Sequence, residues 1–185
     1  HSVLIDDFYS NVASAARSGC PFIYVLDSED ALIPGGEPKA GYDTRKAIRN
    51  SSGLREAHSG LEATNSILIV IKQTRDNLGP GAMFNPKTRS GGRALTFYAT
   101  LELWFSVGGI IKRTVRGKER RVGSIIRIHV KKNRLSGRDR SVAIPFYPTH
   151  GLDDLGSCID FLVAERHWTR EGQSLTAPEF GFGGP

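Results

Sequence analysis

Two strand ends and one loop carry the residues with the most chemistry to offer. Residues 22–26 form an apolar run that ends in Asp27 and Ser28, and the apolar run 67–71 is followed by Gln73 and Arg75. A carboxylate at the C-terminal end of a buried strand can hold a magnesium-bound water beside phosphate groups, but an apolar strand ending in Asp is by itself common. Gln73 can donate to a phosphate oxygen and accept from a backbone amide, which suits a switch; the plainer reading is a Gln satisfied by strand-end backbone. A strand that delivers an amide and a guanidinium to its C-terminal end, then opens a long loop, has the geometry of a ligand site on an α/β sheet. That loop carries Arg75, Lys87, Arg89 and Arg93 around Gly91-Gly92, with only Asp76 to oppose them. Loops of this length inside compact domains are usually functional or disordered. The histidines at 1, 58, 129, 150 and 167 show no ligand spacing, and no Ser/His/Asp arrangement is suggested.

The charge is distributed in blocks. Residues 1–71 hold six Lys/Arg against nine Asp/Glu, residues 72–134 fifteen against three, and residues 135–185 four against seven. The net values of −3, +12 and −3 place the excess of the whole chain (+6) in its middle third. A polyanionic partner for that third is the natural inference, and a solvated basic hairpin is the alternative. No apolar run approaches the roughly 18 residues of a membrane span. The first ten residues lack the basic and apolar regions of a signal peptide. Cys20 and Cys158 have no CxxC partner and read as two buried free thiols.

The elements that must position these groups follow from pattern. Asp6 or Asp7 can cap a helix over about 7–18, with Phe8, Val12, Ala15 and Ala16 on one face and Gly19 at its end. Helix then apolar strand suggests an α/β unit with parallel strands buried on both faces. Residues 34–53 read as a polar, Gly-rich loop, and a helix over about 52–63 feeds the strand at 67–71. After the long loop come a short helical turn or strand entry and an alternating strand. Gly108-Gly109 marks a turn, followed by strands at 110–116 and 123–130 joined through a basic turn. A strand at 141–147 and an amphipathic helix over 152–165 complete the pattern. That helix places Leu155, Ile159, Leu162 and Val163 on one side.

These residues together resemble a known family. From the strand FIYVLDSEDAL (residues 22–32) to about Trp168, the chain looks like the second half of the ATPase core of the RecA-type recombinases, particularly phage-like members. The resemblance implies an α/β fold: a fragment of a RecA-like P-loop NTPase core with a mainly parallel sheet, helices on both faces and an antiparallel hairpin at one side. Residues 1–168 would form the C-terminal half of that core, and 169–185 a loosely ordered tail.

The resemblance also assigns roles. Asp27 and Ser28 take the place of the Walker B element, with Asp27 reaching magnesium through water and Ser28 beside the nucleotide. Gln73 takes the place of the amide that senses the terminal phosphate of ATP and relays its presence into the DNA-binding loop. Lys132 and Arg134, flanking Asn133, match basic positions that reach the neighbouring subunit's ATP and stabilise transferring charge as an arginine finger does. Arg134 in place of a second Lys keeps the charge and changes the geometry. A solvated basic strand end is the plain alternative for this cluster. With Gln73, these two cations are the catalytic candidates.

The loop 75–93 resembles the family's second DNA-binding loop. Arg75, Lys87, Arg89 and Arg93 would neutralise phosphates, while Thr88, Ser90, Gly91 and Gly92 supply small donors and close backbone approach. Leu78 matches a position that wedges between base triplets, and Phe84 one that links neighbouring subunits. The loop departs from the better-known bacterial pattern by Pro80-Gly81 near its tip, and by Lys87 and Arg89 where an acidic residue and a hydroxyl are familiar. Residues 34–53 take the place of the first DNA-binding loop, with Arg49 and Arg55 as candidates within and just beyond it.

No GxxxxGK followed by Ser or Thr occurs in the sequence, so the backbone nest and Lys that cradle phosphates are absent. The water-activating glutamate of the family would also lie before residue 22. A piece of a longer protein is therefore expected, one destabilised by a gap in its sheet or closing that gap by self-association. The resemblance implies ATP and magnesium as cofactors of the intact protein. Single-stranded and then duplex DNA are its implied partners, with self-association into a filament or ring, in the cytoplasm of a bacterial or phage-infected cell and without a membrane partner. Two alternatives stay open: a P-loop-less DNA-binding or filament-regulating module, and a ring helicase of the same superfamily.

Overall fold

The computed structural model describes residues 3–35, 44–76, 87–88 and 93–184. They fall into two compact units, one up to Ala99 and one from Thr100.

The first unit opens with helix α1 (Ile5–Ala16). Asp6 and Asp7 lie in its first turn, where the helix dipole favours negative charge, but neither caps it. Ile5, Phe8, Tyr9 and Val12 recur at helical spacing and are buried along one face. Strand β1 (Ile23–Leu26) and a 3-10 turn (Glu29–Ala31) lead to helix α2 (Arg45–Ala63) and strand β2 (Ile67–Val70). Two short strands, β3 (Arg75–Asp76) and β4 (Lys87–Thr88), precede helix α3 (Ala94–Tyr98). Strands β1 and β2 are parallel, in register from Ile23 opposite Ile67 to Leu26 opposite Val70. The core is built from Ile5, Phe8, Val12, Leu26, Leu32 and Leu54, with Tyr24, Leu68 and Val70 packed against it. Helices α1 and α2 approach closely because α2 carries glycine at the contact: a Cβ at Gly53 would overlap the Tyr9 ring.

The second unit is dominated by antiparallel strands β5 (Leu101–Val115), β6 (Lys118–Asn133), β7 (Arg140–Tyr147) and β8 (Gly151–Leu152), in that order across the sheet. Arg116 and Gly117, with φ of 52° and 73°, make the two-residue turn between β5 and β6. Positive φ at both positions matches the right-handed twist of a hairpin. Helix α4 (Asp154–Ala164) is capped by Asp153, whose carboxylate accepts from the Gly156 amide at 3.0 Å. Strands β9 (Thr169–Glu171), β10 (Ser174–Ala177) and β11 (Phe182–Gly184) then form a separate small antiparallel sheet.

The mixed α/β class matches expectation, but several particulars differ. Among the described residues the one parallel ladder is β1 with β2, and the larger sheet is antiparallel rather than mainly parallel. Its strands are joined by short turns, which only antiparallel pairing allows. Helices α1 and α2 pack on the side of Tyr24, Leu26, Leu68 and Val70, so β1 and β2 are covered on one face rather than two. On the opposite face Ile23 and Val25 are 67% and 52% exposed, and Ile67 and Ile69 are 55% and 45% exposed. Gly108-Gly109 is no turn: β5 runs through it, absorbing the pair as a register shift between Val107 and Gly109. Within residues 169–184, expected as a loosely ordered tail, the segments 169–171, 174–177 and 182–184 pair as strands. The Trp168 indole ties them by donating to Glu179, a hydrogen bond that lowers the Glu179 pKa. Cys20 and Cys158 are free as expected but exposed rather than buried.

Candidate functional site

The register of β1 and β2 decides which candidates meet. Because the strands are parallel and Leu26 pairs with Val70, the residues that follow each strand emerge at the same end. The ladder continues past both strands, with the Ile71 amide donating to Leu26 O at 2.9 Å and the Glu29 amide to Ile71 O at 3.0 Å. Asp27, Ser28 and Gln73 are thereby gathered at one C-terminal edge, the place where α/β sheets bind ligands. Asp27 and Gln73 are exposed and Ser28 is half-buried. The peptide between Asp27 and Ser28 is cis. An exposed carboxylate offers only acceptors, and Gln73 offers both donors and an acceptor, so this edge suits a hydrated cation beside an anion.

A buried polar network lies directly behind that edge. Glu29 is 1% exposed, and its carboxylate accepts from Asn50 Nδ2 and from Lys72 Nζ, each at 2.7 Å. Lys46 Nζ donates to the Glu29 carbonyl at 2.6 Å and lies 3.5 Å from its carboxylate. Asn50 in turn accepts from the Tyr9 hydroxyl at 2.9 Å. Burial, and secondarily the Glu29 charge, push the Tyr9 phenol well above its ordinary pKa of 10.0. One residue beyond Glu29, Asp30 Oδ2 accepts from the backbone amide of Gln73 at 2.9 Å. Sequence reasoning missed Glu29, Asp30, Lys46, Asn50 and Lys72. The available signal was an acidic pair placed immediately after Asp27-Ser28, and a Lys interrupting the apolar run before Gln73.

The basic candidates divide. Arg75 and Asp76 pair with Thr88 and Lys87 in a short antiparallel ladder, β3 with β4, so the base of the long loop is closed by backbone pairing. Leu78, Phe84, Arg89, Ser90, Gly91 and Gly92 lie outside the described residues. Arg93 is exposed at the N-terminus of α3. Arg49 and Arg55 sit on α2 rather than in or beside a loop, because that helix starts at Arg45. Arg49 contacts Asp6 of α1 at 3.6 Å, and Arg55 is exposed.

Lys132 and Arg134 belong to the second unit, at the end of β6. Lys132 stands opposite Glu102 in the β5–β6 register, an opposite-charge cross-strand pair. The Arg134 amide donates to Thr100 O at 3.0 Å. Asn133 shapes the turn beyond them: its Oδ1 accepts from the Leu135 and Ser136 amides at 3.0 and 3.1 Å. Next to them Lys131 Nζ lies 4.0 Å over the Trp104 ring, and Trp104 donates to Glu102 at 2.6 Å.

Comparison with known proteins adds a family to this geometry. Residues 10–153 match the model of the RecA N-terminal domain. The chain is 33% identical to protein RecA of Thermus thermophilus over 153 residues, which is 80% of this chain and 44% of that protein. It is 30% identical to protein RecA of Chlamydia muridarum over 174 residues, 90% of this chain and 47% of that protein. The chain thus spans less than half the length of these relatives.

Proposed function

The chain belongs to the RecA family, and on that premise we propose that it is the part of a recombinase that senses ATP and holds single-stranded DNA. In the assembled protein this activity would promote pairing with a homologous duplex and strand exchange. The observation that carries the reading is the convergence of Asp27, Ser28 and Gln73 at one end of the parallel pair. Arg75, two residues beyond Gln73, begins the basic loop.

The residues present fit a magnesium-bound nucleotide at that edge. Asp27 would hold a water of the metal, Ser28 would lie beside the nucleotide, and Gln73 would donate to its terminal phosphate. Bound magnesium would supply charge neutralisation between phosphate oxygens. Arg75, Lys87, Arg89 and Arg93 would neutralise DNA phosphates, with Thr88, Ser90, Gly91 and Gly92 giving small donors and Leu78 a wedge between bases. Arg49 and Arg55 would add cations along α2. Lys132 and Arg134 would serve the nucleotide of a neighbouring copy, which requires self-association into a filament or ring. A cytoplasmic setting would suit this activity. No helix among the described residues is long and apolar enough to cross a membrane.

A second reading, a DNA-binding or filament-regulating module without catalysis, draws support from the +12 block of residues 72–134, which suits a polyanion without a nucleotide. The recombinase and the DNA-binding form of the second reading both require the loop to bind DNA. The deciding measurement is anisotropy of labelled oligo-dT against this chain across a salt series, without nucleotide. Binding should weaken steeply with salt, and Arg89→Ala with Arg93→Ala should reduce the log–log slope by about 1.4, two phosphate contacts on a single strand. Absence of binding at low salt would overturn DNA binding by this chain. Should binding occur, a nucleotide-dependent change in the intact gene product favours the recombinase over the regulatory module.

A further inference from the structure

The network behind the strand ends does something that phosphate and DNA contacts leave unexplained. Residues 29 and 30 grip residues 71, 72 and 73 one after another. The Glu29 amide donates to Ile71 O at 3.0 Å, the Glu29 carboxylate takes Lys72 Nζ at 2.7 Å, and Asp30 takes the Gln73 amide at 2.9 Å. Three contacts at three consecutive positions leave the strand end no freedom to slip. The grip is also anchored from behind, since Asn50 and Lys46 of α2 hold the same Glu29, and Tyr9 of α1 holds Asn50.

Energetics argue that such a network serves geometry more than stability. Desolvating a carboxylate and an ammonium together recovers little net free energy, and well-packed apolar residues often do as well or better. An apolar pair fixes the position of a strand end less sharply, because its contacts are non-directional. A fully satisfied buried network selects one register, since any shift strands a charge. The register selected here is that of the two strand ends carrying Asp27 and Gln73, and of Arg75 where the loop begins.

We propose that Glu29 and Asp30 are positioning residues that lock the backbone of Lys72 and Gln73 against the Asp27–Ser28 strand end. By holding the Gln73 backbone, the lock aims the Gln73 side chain and fixes the base from which the β3–β4 loop departs. This rests on the reading of Gln73 and the loop as nucleotide- and DNA-facing. Glu29 and Asp30 touch neither ligand; they act through Gln73.

The test combines a spectroscopic readout with a binding readout on the full chain. In 15N-labelled protein the Gln73 amide proton should be shifted downfield and protected from exchange. Asp30→Ala should move it upfield and reduce protection by about tenfold, the worth of one charge-assisted hydrogen bond. Asp30→Asn, which keeps an acceptor, should restore most of both. Lys72→Met should displace the Gln73 and Arg75 amides as Asp30→Ala does, while Lys72→Arg retains them. Oligo-dT affinity should fall with Asp30→Ala and recover with Asp30→Asn, at unchanged thermal midpoint. Should Lys72→Met fail to fold, the half-buried Asp30 pair still decides. The proposal is overturned if the Gln73 amide stays in place in Asp30→Ala, or if it moves while DNA affinity does not. If the wild-type chain binds no oligo-dT at low salt, the DNA reading fails, and the Gln73 amide alone decides whether the lock exists.

Discussion

Tyr9 reports on the buried network from its far end. Its hydroxyl donates to Asn50, and burial, then the charge of Glu29, raise its pKa. A raised pKa means that the folded protein favours the protonated phenol. The resulting stability is fully present below the ordinary pKa of 10.0 and is lost as pH climbs from there toward the folded value. Absorbance titration of the native chain between about pH 9 and 11 should therefore show no signal from Tyr9. Tyr9→Phe should leave that native curve unchanged while removing one of five phenols from the denatured curve. A Tyr9→Phe variant that loses a phenol titrating in the native range would count against the buried network. At this scale the site was partly legible. Asp27, Ser28 and Gln73 stand out because each follows an apolar run, and a strand end is a local signal. Glu29 and Lys72 do not, since their pairing spans 43 positions and neither residue type announces burial.

Helix α2 illustrates what is legible about an element and what is not. The sequence indicates a helix over about 52–63 ahead of the strand at 67–71, whereas the observed start at Arg45 falls in a stretch that reads as loop because it is polar and Gly-rich. Those polar residues are anchored by partners elsewhere in the chain, Lys46 on Glu29 and Arg49 on Asp6, which no local pattern reveals. Gly108-Gly109 misled for the opposite reason: a glycine pair signals a turn, but here it accommodates a register shift inside a continuous strand. Gly53 gives the element-scale prediction. In a helix interior Ala is favoured over Gly by about 0.8–1.0 kcal/mol. At Gly53, however, the new methyl would overlap the Tyr9 ring, whose hydroxyl is held by Asn50. Overpacking of this kind costs about 1–3 kcal/mol, so Gly53→Ala should destabilise the chain on balance. Urea unfolding followed by far-UV circular dichroism measures it, and a raised midpoint would mean that α1 yields readily.

At the scale of the whole molecule, the charge blocks and the apolar surface make different demands. The +12 block of residues 72–134 runs through the long loop and the β5–β6 hairpin, so its polyanion signal was legible from composition alone. The extent of uncovered apolar surface was not, because an apolar run says nothing about how many of its faces find a partner. One face of the β1–β2 pair presents Ile23, Val25, Ile67 and Ile69, and in the second unit Leu103, Phe105 and Val107 of β5 are 45%, 62% and 66% exposed. Soluble monomers rarely leave contiguous apolar faces of this kind open. The chain spans less than half the length of these relatives, and among its described residues these faces meet no apolar partner that covers them. The chain by itself should therefore associate. Sedimentation velocity should give a mass that rises with concentration, and Val25→Glu with Ile69→Lys should shift it to monomer without loss of helix signal. Val25 and Ile69 are register partners, so the substituted pair places opposite charges side by side and avoids repulsion within the sheet. A wild-type chain that stays monomeric at all concentrations, with a high thermal midpoint, would show that these faces are tolerated in water and that association has to come from elsewhere.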